Sequence, residues 1–276
     1  MTASTGLVVL LGDPVRHSAS PAIHNAAFRE RELDLAYLAC RVEADRLGEA
    51  MGGLHALGAH GANVTIPHKA QALRLANSAA EAAQALGAAN TLVRTEAGWH
   101  AENTDVEGFL GPLEPHGERL DGGEAVVLGA GGAARAVVYG LLTRYPLRRL
   151  RVVARRPAQA EALLADLEPV RGTVETGVRS EAGDLSSVDL LVNTTPLGMG
   201  DGQTPYAGPF RAGQVVYDLV YRPLRTPLLG AAETAGATTI GGLPMLLGQA
   251  AASFRLWTGH DMPLDVAEAA ALATFG

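Results

Sequence analysis

Residues 124–142 read EAVVLGAGGAARAVVYGLL, and the fold turns on how this stretch is divided. Ala125 to Leu128 is an apolar run without alternation, which marks a strand buried on both faces. Gly129 to Gly132 interrupt it, and small and apolar residues then continue at helical spacing. Gly129, Gly131 and Ala134 match the spacing GxGxxA, with the strand before it and the helix after it that give the pattern meaning. Glycines permit a tight turn and close backbone approach, while a helix N-terminus presents unpaired amides and partial positive charge. The stretch therefore points to dinucleotide binding; the plainer alternative is a strand-to-helix turn with nothing bound.

The next segment, LRRLRVVARR at 147–156, reads as the second strand of the unit. In an NAD site this strand ends in Asp or Glu, which binds the ribose hydroxyls. Here it ends in Ala154, Arg155 and Arg156. Two guanidinium groups attract the extra phosphate of NADP, so the expected cofactor is NADP; solvated surface arginines are the alternative. Further on, Ala158 to Leu167 is helical in pattern. VDLLVNTTP (188–196) and QVVYDLV (214–220) are buried strands with polar C-terminal ends. Strands alternating with crossover-length connections predict a parallel, doubly wound sheet from about Gly123 to Gly242.

Toward the N-terminus the same rhythm recurs. Strands are expected over Leu7–Leu11, Tyr37–Val42 and Gly61–Ile66, with helices over Pro21–Glu30 and Asp45–Leu57. LEPHGERLDGG, 113–123, is the candidate boundary loop, and the chain from Leu243 onward is helical in pattern. Ser18 and Ser20 precede Pro21 and a helix. Hydroxyls there suit either an anion site for a small carboxylate or ordinary helix caps, and on the residues alone the cap reading is preferred.

Composition narrows the function. A net charge of −7 with no basic run argues against nucleic-acid and anionic-membrane partners. Cys40 is the only cysteine, which excludes an internal disulfide and a multi-cysteine metal site. His68 stands alone, so no metal cluster is expected. The opening MTASTGLVVLLGDP lacks the pattern of a secretory signal, and the expected setting is cytoplasmic. Among 22 basic side chains Lys69 is the one lysine. An amine can exchange protons near neutrality whereas a guanidinium does not, so Lys69 is the candidate proton carrier. Its alternative role is an electrostatic clamp.

Eight blocks then occur in order: GDPVRHSASP, GANVTIPHK, GAANTLV, ENTDVEGF, GAGGAARAV, VNTTPLGM, YDLVYRP and GGLPMLLGQAA. Together they resemble the shikimate dehydrogenase family over nearly the whole chain. The resemblance implies a two-domain α/β protein: an N-terminal substrate domain, 1–103 completed by 243–276, and a Rossmann-like NADP domain, 104–242. It implies NADPH-dependent, reversible reduction of 3-dehydroshikimate to shikimate in aromatic amino acid biosynthesis. Lys69 and Asp105 would be catalytic, Asp105 orienting both the amine and a substrate hydroxyl. Ser18, Ser20, Thr65, Asn90, Asp105, Tyr221 and Gln249 would hold the substrate. Glu81, Gly129, Ala130, Gly131, Gly132, Ala133, Ala154, Arg155, Arg156, Pro157, Ala158, Gln159, Leu219 and Gly242 would hold the cofactor.

Two departures stand out. Where the family commonly has Asn-Arg-Thr, this chain has Ala154, Arg155 and Arg156, losing two neutral hydrogen-bonding side chains. Pro244 replaces the glycine that usually precedes the methionine, and is expected to stiffen a loop and remove a donor. A quinate or quinate/shikimate dehydrogenase is the nearest alternative, and a silent NADP or ligand sensor on the same fold is the alternative of another class. The expected assembly is a monomer or homodimer, with a cleft between the domains that narrows on binding.

Overall fold

The computed structural model of the chain describes residues 2–200 and 202–275. It divides into two compact units, one running to Thr104 and resuming at Gln249, the other Asp105–Gly248.

The first unit opens with β1 (Gly6–Gly12), α1 (Ser20–Glu30), β2 (Leu35–Arg41), α2 (Leu47–Ala56), β3 (Gly61–Val64) and α3 (Lys69–Leu75). β4 (Ser78–Ala79), α4 (Glu81–Leu86), β5 (Thr91–Thr95) and β6 (Gly98–Glu102) follow. The sheet order is β2-β1-β3-β5-β6-β4. β1 pairs in parallel with β2 and β3, as the βαβ reading requires, whereas β5 runs antiparallel to both β3 and β6. One face is closed by Val9, Leu11, Met51, Leu92 and Trp99.

The second unit contains α5 (Asp105–Leu113), β7 (Glu124–Leu128), α6 (Gly132–Arg144), β8 (Arg149–Val153), α7 (Pro157–Asp166) and β9 (Glu175–Arg179). β10 (Leu190–Asn193), β11 (Val215–Asp218), α8 (Pro227–Thr234) and β12 (Thr238–Ile240) complete it. The order β12-β11-β10-β7-β8-β9 is that of a dinucleotide-binding sheet, and all of its ladders are parallel. Ala125, Val126 and Val127 are fully buried, in keeping with the unbroken apolar run. The candidate boundary loop is different from its sequence reading: Glu114–Leu120 form 3-10 turns inside this unit, anchored by fully buried Leu120.

The chain ends in α9 (Gly242–Thr258) and α10 (Leu264–Ala273), and the division between units falls within α9, after Gly248. α10 packs against α1. In the first unit, Phe28, Tyr37, Phe254 and Trp257 surround His24, whose ring stacks on Tyr37 at a centroid distance of 4.5 Å. Pro244 is in the first turn of α9 and not in a loop. There the missing N–H has no intrahelical acceptor to lose, so the substitution removes no ladder bond.

Candidate active site

In the first unit the chain leaves β1 for β2 on one side and reaches β3 on the other, which opens a crevice at the C-terminal ends of β1 and β3. Ser18, Ser20, Thr65 and Lys69 all follow those two strand ends. Lys69 is half-buried and heads α3. Its carbonyl accepts from the Ala89 N–H at 2.9 Å, and the Val64 N–H donates to the Asn90 carbonyl at 2.8 Å. The lysine and Asn90 are thus on adjoining backbone. His68, the residue before the lysine, is buried, and its Nε2 lies 2.8 Å from the Val42 carbonyl.

Asn90 is buried with a fixed amide orientation: its Oδ1 accepts from the Thr104 N–H at 2.8 Å and from the Thr91 hydroxyl at 3.0 Å. Gln249, half-buried on α9, belongs to the same unit. Ser18 and Ser20 do not cap α1 as their sequence position suggested. The N-cap is Ala19, with no side-chain cap bond, and Ser20 is already the first helical residue. Ser18 Oγ instead accepts from the Ser20 N–H at 3.2 Å and lies 3.1 Å from Ser20 Oγ. Two hydroxyls side by side at the start of a helix without a side-chain cap are suited to a carboxylate.

In the second unit Gly129 follows β7 with φ +110°, a conformation that L side chains rarely adopt, and a Cβ there would lie 2.5 Å from Thr194 Oγ1. Gly131 caps α6 with no side-chain bond, and a Cβ on Gly131 or Gly132 would meet nothing within 4 Å. Open space before an uncapped 13-residue helix fits a pyrophosphate. A cavity of about 700 Å³ adjoins it, lined by Leu128–Gly131, Val153–Arg156, Gln159, Ser180–Ala182, Thr194–Leu197, Gln203 and Pro205. Arg155 and Arg156 are exposed on its wall, where the phosphate of NADP would need charge. Gly132, Ala133, Pro157 and Ala158 lie in the first turns of α6 and α7, outside the lining.

Leu219 and Gly242 meet directly, since a Cβ on buried Gly242 would lie 2.2 Å from the Leu219 carbonyl oxygen. The loop after β11 is fixed by Asp218, which is fully buried. It accepts from Asn193 Nδ2 at 2.8 Å, Thr226 Oγ1 at 2.6 Å and the Val220 N–H at 3.1 Å. Burial pushes its carboxyl above the usual range, opposed by those three donors.

Not every expected residue falls in one unit. Asp105 heads α5 and Tyr221 follows β11, both half-buried in the second unit, while Glu81 is exposed at the start of α4 in the first. Among the described residues no group of His, Cys, Asp and Glu could hold a metal ion. The sequence reading assigned no role to Thr194 or Thr195, which line the cavity. Thr194 Oγ1 donates to the Leu128 carbonyl at 2.7 Å, joining the ends of β10 and β7. The polar tail of VNTTP was the available signal.

Comparison with known proteins bears on both units. Residues 10–92 match the shikimate dehydrogenase substrate binding domain, and residues 242–272 the shikimate 5'-dehydrogenase C-terminal domain. The shikimate dehydrogenase (NADP(+)) of Salinibacter ruber is 51% identical over 272 residues, covering 95% of each chain. A crystal structure of shikimate dehydrogenase in complex with NADP+ superposes with a TM-score of 0.92 at 35% identity, covering 100% of this chain and 98% of that one. The Thermus thermophilus shikimate 5-dehydrogenase in complex with NADP(H) and shikimate gives 0.85 at 35% identity, covering 98% and 99%.

Proposed function

The chain belongs to the shikimate dehydrogenase family, and from that membership we propose how its own residues run the NADP-dependent, reversible reduction of 3-dehydroshikimate to shikimate. The enzyme is an oxidoreductase of the shikimate pathway.

When bound, NADPH supplies a hydride to the C3 carbonyl carbon of the substrate. The developing charge on the carbonyl oxygen then calls for a proton, and Lys69 delivers it. Asp105 orients the amine and the substrate hydroxyl. In the oxidative direction Lys69 takes the proton back. Ser18 and Ser20 hold the carboxylate, and Thr65, Asn90, Tyr221 and Gln249 grip the carboxylate or ring hydroxyls. On the cofactor side the amides of Gly129–Ala133 take the pyrophosphate and Arg155 and Arg156 the 2′-phosphate, with Ala154, Pro157, Ala158, Gln159, Leu219, Gly242 and Glu81 completing the site.

That Lys69, the one lysine of the sequence, heads a helix beside Asn90 at the ends of β1 and β3 is the observation that carries this reading. We place residues 1–103 and 243–276 in the substrate domain and 104–242 in the cofactor domain. The setting is cytoplasmic, in keeping with a single cysteine, and the protein acts as a monomer or homodimer without nucleic-acid or membrane partners. Among the described residues no helix is long and apolar enough to cross a membrane.

Steady-state assays of the purified protein with shikimate and quinate, each with NADP+ and NAD+, test the reading. Shikimate with NADP+ should have the highest kcat/KM, by about 10-fold or more over either exchange. Equal turnover of quinate would make it a broader quinate/shikimate dehydrogenase. Tight binding of NADP+ and shikimate without turnover would make it a sensor.

A further inference from the structure

A connected set of buried polar groups lies behind Asn90 in the first unit, and no step of the reaction above uses it directly. Ser253 is at its centre, fully buried on α9 one turn after Gln249. Its hydroxyl oxygen is 3.0 Å from the Gln249 carbonyl, 3.0 Å from Asn63 Nδ2, 2.8 Å from Thr91 Oγ1 and 3.1 Å from Thr104 Oγ1. A hydroxyl has one hydrogen and two lone pairs for these four neighbours, so the direction of its hydrogen biases all of them. Asn63 continues the chain of bonds: its Oδ1 accepts from the Tyr37 hydroxyl at 2.7 Å, and its Nδ2 also reaches the Asn90 carbonyl at 3.2 Å.

Stability alone does not account for the set. Replacing paired buried polar groups with apolar ones of the same shape can be nearly neutral, so a core of this size has no need of five such side chains. What the hydroxyls and amides add is direction. Thr91 and Thr104 hold the Asn90 amide in one orientation, Ser253 holds those two threonines, and the same hydroxyl is bonded to the carbonyl of Gln249. Tyr37 closes the frame on the far side of Asn63.

We propose that Ser253, through Asn63, Thr91 and Thr104, is a positioning residue that sets the substrate-gripping orientation of Asn90 and of the Gln249 turn, with Tyr37 holding Asn63 in place. This rests on the assignment of Asn90 and Gln249 to the substrate. Because these groups hold substrate before and during hydride transfer alike, misplacing them raises KM for shikimate and leaves kcat nearly intact.

The test compares Ser253→Ala and Tyr37→Phe, each removing one hydroxyl, with Ala252→Gly, which weakens the same helix without touching the network. All are assayed at a temperature where circular dichroism shows them fully folded. Ser253→Ala should raise KM for shikimate about 10-fold, the effect of one buried hydrogen bond, with KM for NADP+ unchanged. Tyr37→Phe should raise it in the same direction by less, and Ala252→Gly should leave both KM values at wild type. A wild-type KM for shikimate in folded Ser253→Ala overturns the proposal, as does an equal rise in all three variants. Asn90→Ala separates the two readings: a raised KM there beside a wild-type Ser253→Ala retains the substrate site and rejects the frame, whereas no effect in Asn90→Ala removes the assignment beneath it.

Discussion

His68 donates from Nε2 to the Val42 carbonyl at 2.8 Å, and its backbone N–H donates to the Thr65 carbonyl at 2.9 Å. These two bonds fix the start of α3 and with it the residue that follows, Lys69. The solitary histidine of IPHK therefore has a structural partner. His68→Leu leaves a buried carbonyl unpaired, at a cost of about 1–3 kcal/mol. We expect a lower melting temperature together with a fall in kcat of roughly 10-fold as the amine loses its fixed origin. Thermal melts and single-turnover kinetics check both.

At the glycine turn the obstruction is steric. Gly129→Ala would place a methyl group 2.5 Å from Thr194 Oγ1 and force a side chain onto φ +110°. The strain is about 1–3 kcal/mol, and the displaced turn should raise KM for NADP+ while KM for shikimate changes little. Calorimetry and separate titration of the two substrates measure the outcome.

The proposed assignment has Arg155 and Arg156, both on the cavity wall, share the contact to the 2′-phosphate. Replacing both with alanine removes charge-assisted bonds and should raise KM for NADP+ by about 10- to 100-fold while that for NAD+ stays within about twofold. An equal loss for both cofactors would mean that the arginines hold the fold and not the phosphate.

His24 carries a pH dependence. Burial among aromatic rings pulls its imidazole down from 6.5 to about 3, and neither ring nitrogen has a partner among the described residues. Between those values the unfolded chain binds the proton and the folded one does not. Stability is therefore whole above pH 6.5 and is lost as pH falls below it, at about 1.4 kcal/mol per pH unit. From pH 7 to 5, urea unfolding of the wild type should lose about 2 kcal/mol more than His24→Leu. Parallel curves for the two proteins would count against this.

What the sequence disclosed follows from physics. β7, β10 and β11 were readable because strands buried on both faces are continuous apolar runs, and the glycine turn because its φ and its clearance admit little else. The antiparallel pair β5 and β6 escaped because each has only five residues, and in β5 the polar Thr91 and the apolar Leu92 are both buried, which hides the alternation that marks a strand. α3 has seven residues, too few for a helical period to declare itself. Ser18 and Ser20 were read as caps because sequence shows spacing and not the direction of a hydroxyl. The bond between Asn63 and Ser253 joins residues 190 apart, a separation at which local pattern carries no information.

On the proposed mechanism Lys69 moves a proton and does not merely attract charge. Lys69→Arg keeps the cation and abolishes proton exchange, so its kcat for shikimate oxidation is the decisive measurement. If Lys69 transfers the proton, kcat falls by about 10²–10⁴, close to the loss in Lys69→Ala, with KM for shikimate little changed. Turnover by Lys69→Arg near the wild-type rate, or a raised KM at unchanged kcat in Lys69→Ala, would contradict it and leave the amine as a clamp.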